Sequence, residues 1–185
     1  MKNELKDKII SELAKTNKQG MGSVIDWLSN SDYFRAPAST MFHNNTTGGL
    51  AKHSWNVYNH IQKLNEFSLH KKYNWDTLAV VALLHDVCKV NMYAPNILKS
   101  GSRSDNKPWV KNDKLPIGHG EKSVVLLLRQ GLELSDDEIM AIRFHMNLFD
   151  PAGKSHSHYF NDLAIMLFTA DYFVSTFIDD QPKKK

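Results

Sequence analysis

Apolar residues along this chain recur mostly at helical spacing. Leu5, Ile9, Ile10 and Leu13 mark one side of a helix expected over about 3–15, and Met21–Leu28 reads as a short second helix. Residues 30–49 are polar and rich in turn formers, ending in Thr46-Thr47-Gly48-Gly49. A long helix follows, with Leu50, Val57, Ile61 and Leu64 on one side. Asn74 is placed to cap the next helix, which carries Leu78, Val81, Ala82 and Leu84 and runs to about Lys89. Over 91–117 the period fails: Pro95, Gly101, Pro108 and Pro116 exclude a helix, and a loop or small β-hairpin around Trp109-Val110 is expected. Helix returns over about Gly120–Gln130. Ser135-Asp136-Asp137-Glu138 has the form of a capping box and opens a helix reaching Met146. After a polar loop over 147–158, a last helix over about Tyr159–Ile178 carries Leu163, Met166, Leu167 and Ala170. The pattern predicts an all-α fold with one small hairpin in the 91–117 insertion.

The length, 185 residues, fits one domain over 1–185 with a sizeable core. A net charge of +3, partly from the terminal Lys183-Lys184-Lys185, is too small to argue for a nucleic-acid binder and is compatible with an anionic substrate. No apolar run approaches the ~18 residues of a membrane span; the longest, Leu78–Leu84 and Leu163–Phe168, suit buried helices. The charged start has no signal-peptide pattern, and Cys88 alone allows no intramolecular disulfide. The expectation is a cytoplasmic protein without membrane contact.

The candidate chemistry lies in metal-competent side chains near helix ends. His85-Asp86 closes an apolar helix, and burying an imidazole beside a carboxylate is costly unless a cation or another partner satisfies both; taken alone, a C-terminal histidine on the helix dipole beside a solvated Asp is the plainer reading. Lys89, four residues after His85, is expected on the same helical face, within reach of a bound phosphate. Asp171 interrupts the apolar run Ile165–Ala170, where a carboxylate needs a partner. His53, His119 and His145 are weaker alone: a cap or core residue, a loop histidine between Gly118 and Gly120, and a core histidine beside Phe144 are the plain alternatives.

Taken together, a lone His, then His-Asp with Lys three positions on, two further histidines and a late Asp resemble the HD superfamily of metal-dependent phosphohydrolases over residues 48–175. The resemblance implies a helical bundle with its core at about 48–178, and residues 1–47 packed on it. It implies His53, His85, Asp86 and Asp171 as ligands of a first ion. In binuclear branches, Asp86 would bridge to a second ion held by His119 and His145. The Gly118–Ser123 and Ala141–His145 segments look like a bacterial and phage subgroup of unknown substrate. Ile142-Arg143-Phe144-His145 is also similar to the binuclear diadenosine tetraphosphate hydrolases. Many binuclear members carry a second histidine after the position of His145, where this chain has Met146. No Gly-Tyr-Pro signature follows, no acidic pair follows His85-Asp86, and the chain is short. These departures disfavour cyclic-di-GMP phosphodiesterases, guanosine tetraphosphate hydrolases and the large deoxynucleotide triphosphohydrolases.

The expected activity is therefore metal-dependent hydrolysis of a phosphoester or phosphoanhydride in a small phosphorylated substrate, a nucleotide above all. One or two divalent ions (Mn, Fe, Ni, Co or Zn) would serve it, two being favoured. Asp86 and Lys89 are the catalytic candidates, and Lys89, Arg143, Lys122 and Asp150 the substrate-contacting ones. The alternatives are a catalytically silent nucleotide-binding module on the same scaffold, or an RNA or DNA phosphodiesterase, which would need a basic groove. Gly120-Glu121-Lys122-Ser123 fails as a phosphate-binding loop, because Glu121 and Pro116 stand where glycines are required. Lys99, Arg103, Lys107, Lys111 and Lys114 make the insertion basic, fitting either a solvated loop or a substrate lid. Cys88 reads most simply as a small core residue, and His156-Ser157-His158 as an exposed loop pair.

Overall fold

The computed structural model describes residues 2–146 and 161–181. Among them the chain is helical, with one two-stranded antiparallel sheet. The helices are α1 (Lys2–Ala14), α2 (Met21–Asn30), α3 (Gly49–Phe67), α4 (Trp75–Leu84), α5 (His119–Arg129), α6 (Asp136–Phe144) and α7 (Asp162–Phe173). Strands β1 (Tyr93–Pro95) and β2 (Trp109–Lys111) pair with Ala94 opposite Val110, forming the hairpin expected around Trp109-Val110. No helix of the described residues is long and apolar enough to cross a membrane.

Helix α4 is the centre of the bundle. Every residue from Leu78 to Leu84 is buried, as an all-round apolar helix requires. It packs against α3, α6 and α1, while α7 closes the bundle against α3 and α6. The Asn74 side chain accepts from the Thr77 N–H at 2.8 Å, which starts α4 where the sequence places it. The capping box at α6 also forms: Ser135 Oγ accepts from the Glu138 N–H, and the Glu138 carboxylate accepts from the Ser135 N–H. Fully buried Glu138 additionally accepts from Lys18 Nζ at 2.7 Å, tying the α1–α2 connection to α6.

Three helix ends differ from the periodicity, the slightest being α6, which stops at Phe144 rather than Met146. Helix α4 stops at Leu84 rather than near Lys89; His85 caps it, and Val87–Lys89 forms a 3₁₀ turn. Three residues per turn bring Lys89 over Asp86, so its partner is Asp86 rather than the face of His85. The last helix opens at Asp162, capped by the Asn161 side chain, and widens into a π turn at Val174–Ile178. The expected start at Tyr159 lies outside the described residues.

Candidate metal centre

Five helices each deliver one part of a buried cluster. His53 comes from the second turn of α3, His85 and Asp86 from the end of α4, and His119 from the first residue of α5. His145 follows the last residue of α6, and Asp171 lies on α7. Two glycines permit the close approach. A Cβ on Gly49 would lie 1.9 Å from the Asn44 carbonyl oxygen, so only glycine lets the preceding loop cross the start of α3. A Cβ on Gly120 would lie 2.2 Å from the Arg143 carbonyl oxygen, so glycine brings the start of α5 onto the end of α6, and His119 toward His145.

The orientation of three imidazoles is the informative feature. His85 Nδ1–H donates to the Ala82 carbonyl at 2.9 Å, and His145 Nδ1–H donates to the Ile142 carbonyl at 2.7 Å. Each histidine thus caps its own helix, three residues back. His53 Nδ1–H donates to Asp179 Oδ2 at 2.6 Å, and Asn56 holds the other Asp179 oxygen at 2.8 Å. With each Nδ1 proton engaged outward, the three Nε2 atoms face inward. His53 Nε2 is 3.3 Å from His85 Nε2 and 3.0 Å from Asp171 Oδ1. Asp86 Oδ2 lies 3.7 Å from His53 Nε2 and 3.6 Å from His85 Nε2. Its other oxygen, Oδ1, is 2.6 Å from His119 Nε2 and 3.6 Å from His145 Nε2. His145 Nε2 is fully buried and has no hydrogen-bond partner.

These are the properties of a metal-binding donor set. Metal-ligating histidines donate their other ring N–H to a carbonyl or carboxylate, which fixes the tautomer and the ring. Ligand atoms of His53, His85 and Asp86 lie within 4.8 Å of one another, as do those of His85, His145 and Asp171, and those of Asp86, Cys88 and His119. An orphaned buried Nε2 beside a carboxylate is costly in a protein and satisfied by a cation. The residues present therefore fit a divalent ion. Burial disfavours a charged His53, yet hydrogen bonds to Asp171 and Asp179 raise it to about 9. Burial pushes His85 down to about 3. Burial opposes the Asp86 charge, but Lys89, His85 and His119 hold that carboxyl well below the usual range.

The expected first-ion set, His53, His85, Asp86 and Asp171, is brought together; His119 and His145 approach the other Asp86 oxygen, and His145 also lies close to His85 and Asp171. Lys89 is buried and bonded to Asp86 Oδ2, and it borders a cleft of about 140 Å³ together with Asp86, Asp171 and His145. Arg143 pairs with Glu121 across the α5–α6 contact, and Lys122 with Asp113 at 2.6 Å, which pins the insertion to α5. Neither borders that cleft. Asp150 and His156-Ser157-His158 lie outside the described residues.

Sequence reasoning missed His43 and Asp179. Asp179 follows the last helical turn beside Asp180, where a carboxylate reads as solvated; it is buried because the π turn carries it under α3. His43 sits in the turn-rich segment with no helical period around it. Its ring lies 5.0 Å from that of His53, its Nε2 is buried without a partner, and it borders the same cleft. Compared with protein-family models, curated proteins and solved structures, the chain matches none.

Proposed function

We propose that this chain is a metal-dependent phosphohydrolase of the HD superfamily that cleaves a phosphoester or phosphoanhydride bond in a nucleotide. The observation that carries the reading is the convergence of the His53, His85 and His145 Nε2 atoms on Asp86 and Asp171, each Nδ1 proton tied outward. The order and spacing of these residues along the chain add the resemblance to HD proteins. His53, His85, Asp86 and Asp171 would hold one ion, and Asp86, His119 and His145 a second. Their nitrogen and carboxylate donors accept Mn, Fe, Ni, Co or Zn. When bound, the ions would polarise a phosphoryl oxygen and acidify a coordinated water.

The remaining roles belong to the protein's own groups. Asp86 presents one oxygen to each half of the cluster, which suits a bridging carboxylate. Lys89, locked by Asp86 at the edge of the cleft, offsets negative charge gathering on the phosphoryl group. At about 140 Å³ the cleft takes a phosphoryl group rather than a whole nucleotide. Phe168 and Tyr172 stand along its side in parallel, 6.2 Å apart, offering an apolar face to a base.

A panel of nucleotides and dinucleoside polyphosphates, assayed with each transition metal in turn, tests the proposal. Phosphate or nucleotide release should require the metal, stop with a chelator, and fall at least about a hundredfold in Asp86→Ala. Full activity in that variant would refute the mechanism. Tight nucleotide binding by the metal-loaded protein without turnover would point to a silent binding module instead.

A further inference from the structure

The second ion's implied ligands, Asp86, His119 and His145, leave the set one short of the binuclear pattern, since Met146 replaces a further histidine and is 55% exposed. The structure offers another donor in its place. Cys88 is buried in the 3₁₀ turn that follows Asp86, its backbone N–H fixed by Ser123 Oγ at 3.1 Å. Cys88 Sγ lies 3.3 Å from His119 Nε2, which in turn is 2.6 Å from Asp86 Oδ1. Across that same oxygen stands His145 Nε2, fully buried, unpartnered and 3.6 Å away. A cation would satisfy the unpaired imidazole nitrogen, the carboxylate oxygen and the sulfur together. Cys88 and His119 also border a cleft of about 260 Å³, separate from the one beside Lys89.

We infer that Cys88 Sγ is a ligand of the second ion, completing a mixed sulfur, nitrogen and oxygen site with His119, His145 and Asp86. On coordination the thiol proton passes to solvent and the sulfur binds as thiolate. A thiolate makes this half of the centre soft, so it selects Zn, Fe(II) or Co over Mn and Mg, whereas the first set takes harder ions as well. The inference rests on the proposed binuclear centre and deepens it: it predicts a metal preference that an all-histidine site would not have.

The test is an anaerobic titration of the metal-free protein with Co(II), followed by absorption. The first equivalent should give ligand-field bands without sulfur character. The second should bring a thiolate-to-cobalt charge-transfer band in the near ultraviolet. Cys88→Ser and Cys88→Ala, each with wild-type far-ultraviolet circular dichroism, should lose that band and bind the second equivalent roughly tenfold or more weakly. His119→Ala should lose the same band while still binding one ion. Binding of two ions with no charge-transfer band, or with unchanged affinity in both Cys88 variants, overturns the assignment and leaves the proposed hydrolase intact. A charge-transfer band that persists in both Cys88 variants, or a single ion bound without one, also overturns it. Failure of wild type to bind any cobalt removes the metal centre itself.

Discussion

His85 and His145 owe their orientation to their own helices, and His53 owes its to Asp179. A carbonyl three residues back is available at any helix end, so a histidine at a C-cap can spend its Nδ1 proton there and leave Nε2 free. Asp179 acts on His53 in the same way from a different element. Asp179→Asn should therefore weaken metal binding about 10–100-fold, measured by competition with a chromogenic chelator, through the loss of its hold on His53. The pH dependence follows from the same contacts. His53 is raised to about 9 in the metal-free fold, against an ordinary 6.5, so its contribution to stability is present below 6.5 and is lost as pH rises toward 9. Metal must displace that proton. Calorimetry in buffers of different ionisation enthalpy should show proton release on binding at pH 7, with affinity rising up to about pH 9. His85 has the opposite sign: depressed to about 3, it favours folding above 6.5, and that contribution is lost as pH falls from 6.5 toward 3. His85, Asp86 and Asp171 were legible in the sequence because an apolar run makes a polar residue conspicuous. His43 and Asp179 were not, because both lie in polar segments where only the tertiary fold decides burial.

At the scale of elements, the helix starts were easier to read than the ends. Asn74 and Ser135 announce their helices through side-chain caps whose chemistry is local. The stop at Leu84 is set by the 3₁₀ turn that swings Lys89 onto Asp86, an interaction no periodicity encodes. The α5–α6 junction is read only in part: Gly118 and Gly120 signal a close approach without naming the partner. Gly120→Ala should push α5 from α6, because the added methyl would meet the Arg143 carbonyl. We expect a loss of about 1–3 kcal/mol in chemical denaturation, together with weakened binding of a second ion while the first is retained. Ser135→Ala, remote from the cluster, should cost about 1 kcal/mol and leave metal affinity unchanged.

Over the whole molecule, the cluster is where five helices meet, so binding there couples to global stability. At a hundredfold excess over its Kd, a bound ion should add about 2.7 kcal/mol, raising Tm by roughly 5–11 °C, and a chelator should reverse the shift. The insertion enters the same assembly. Lys122–Asp113 holds it to α5, and Trp109 Nε1–H donates to the Asn45 carbonyl at 2.7 Å, linking it to the loop that carries His43. The hairpin's existence could be read from prolines and β-formers, but its two anchors could not: Trp109 and Asn45 lie far apart in sequence, and the Lys122–Asp113 pair joins a loop to a helix, where no period relates the two residues. The all-α class was fully legible because most of the apolar positions obey one period.

The central claim, that these helices converge on a transition-metal centre, is tested most directly by anomalous diffraction from crystals grown with Mn or Zn. The account predicts an anomalous peak within bonding distance of the His53 and His85 Nε2 atoms, Asp86 and Asp171, and absent in Asp86→Ala crystals. A metal-soaked crystal with no anomalous density among these four residues would contradict it.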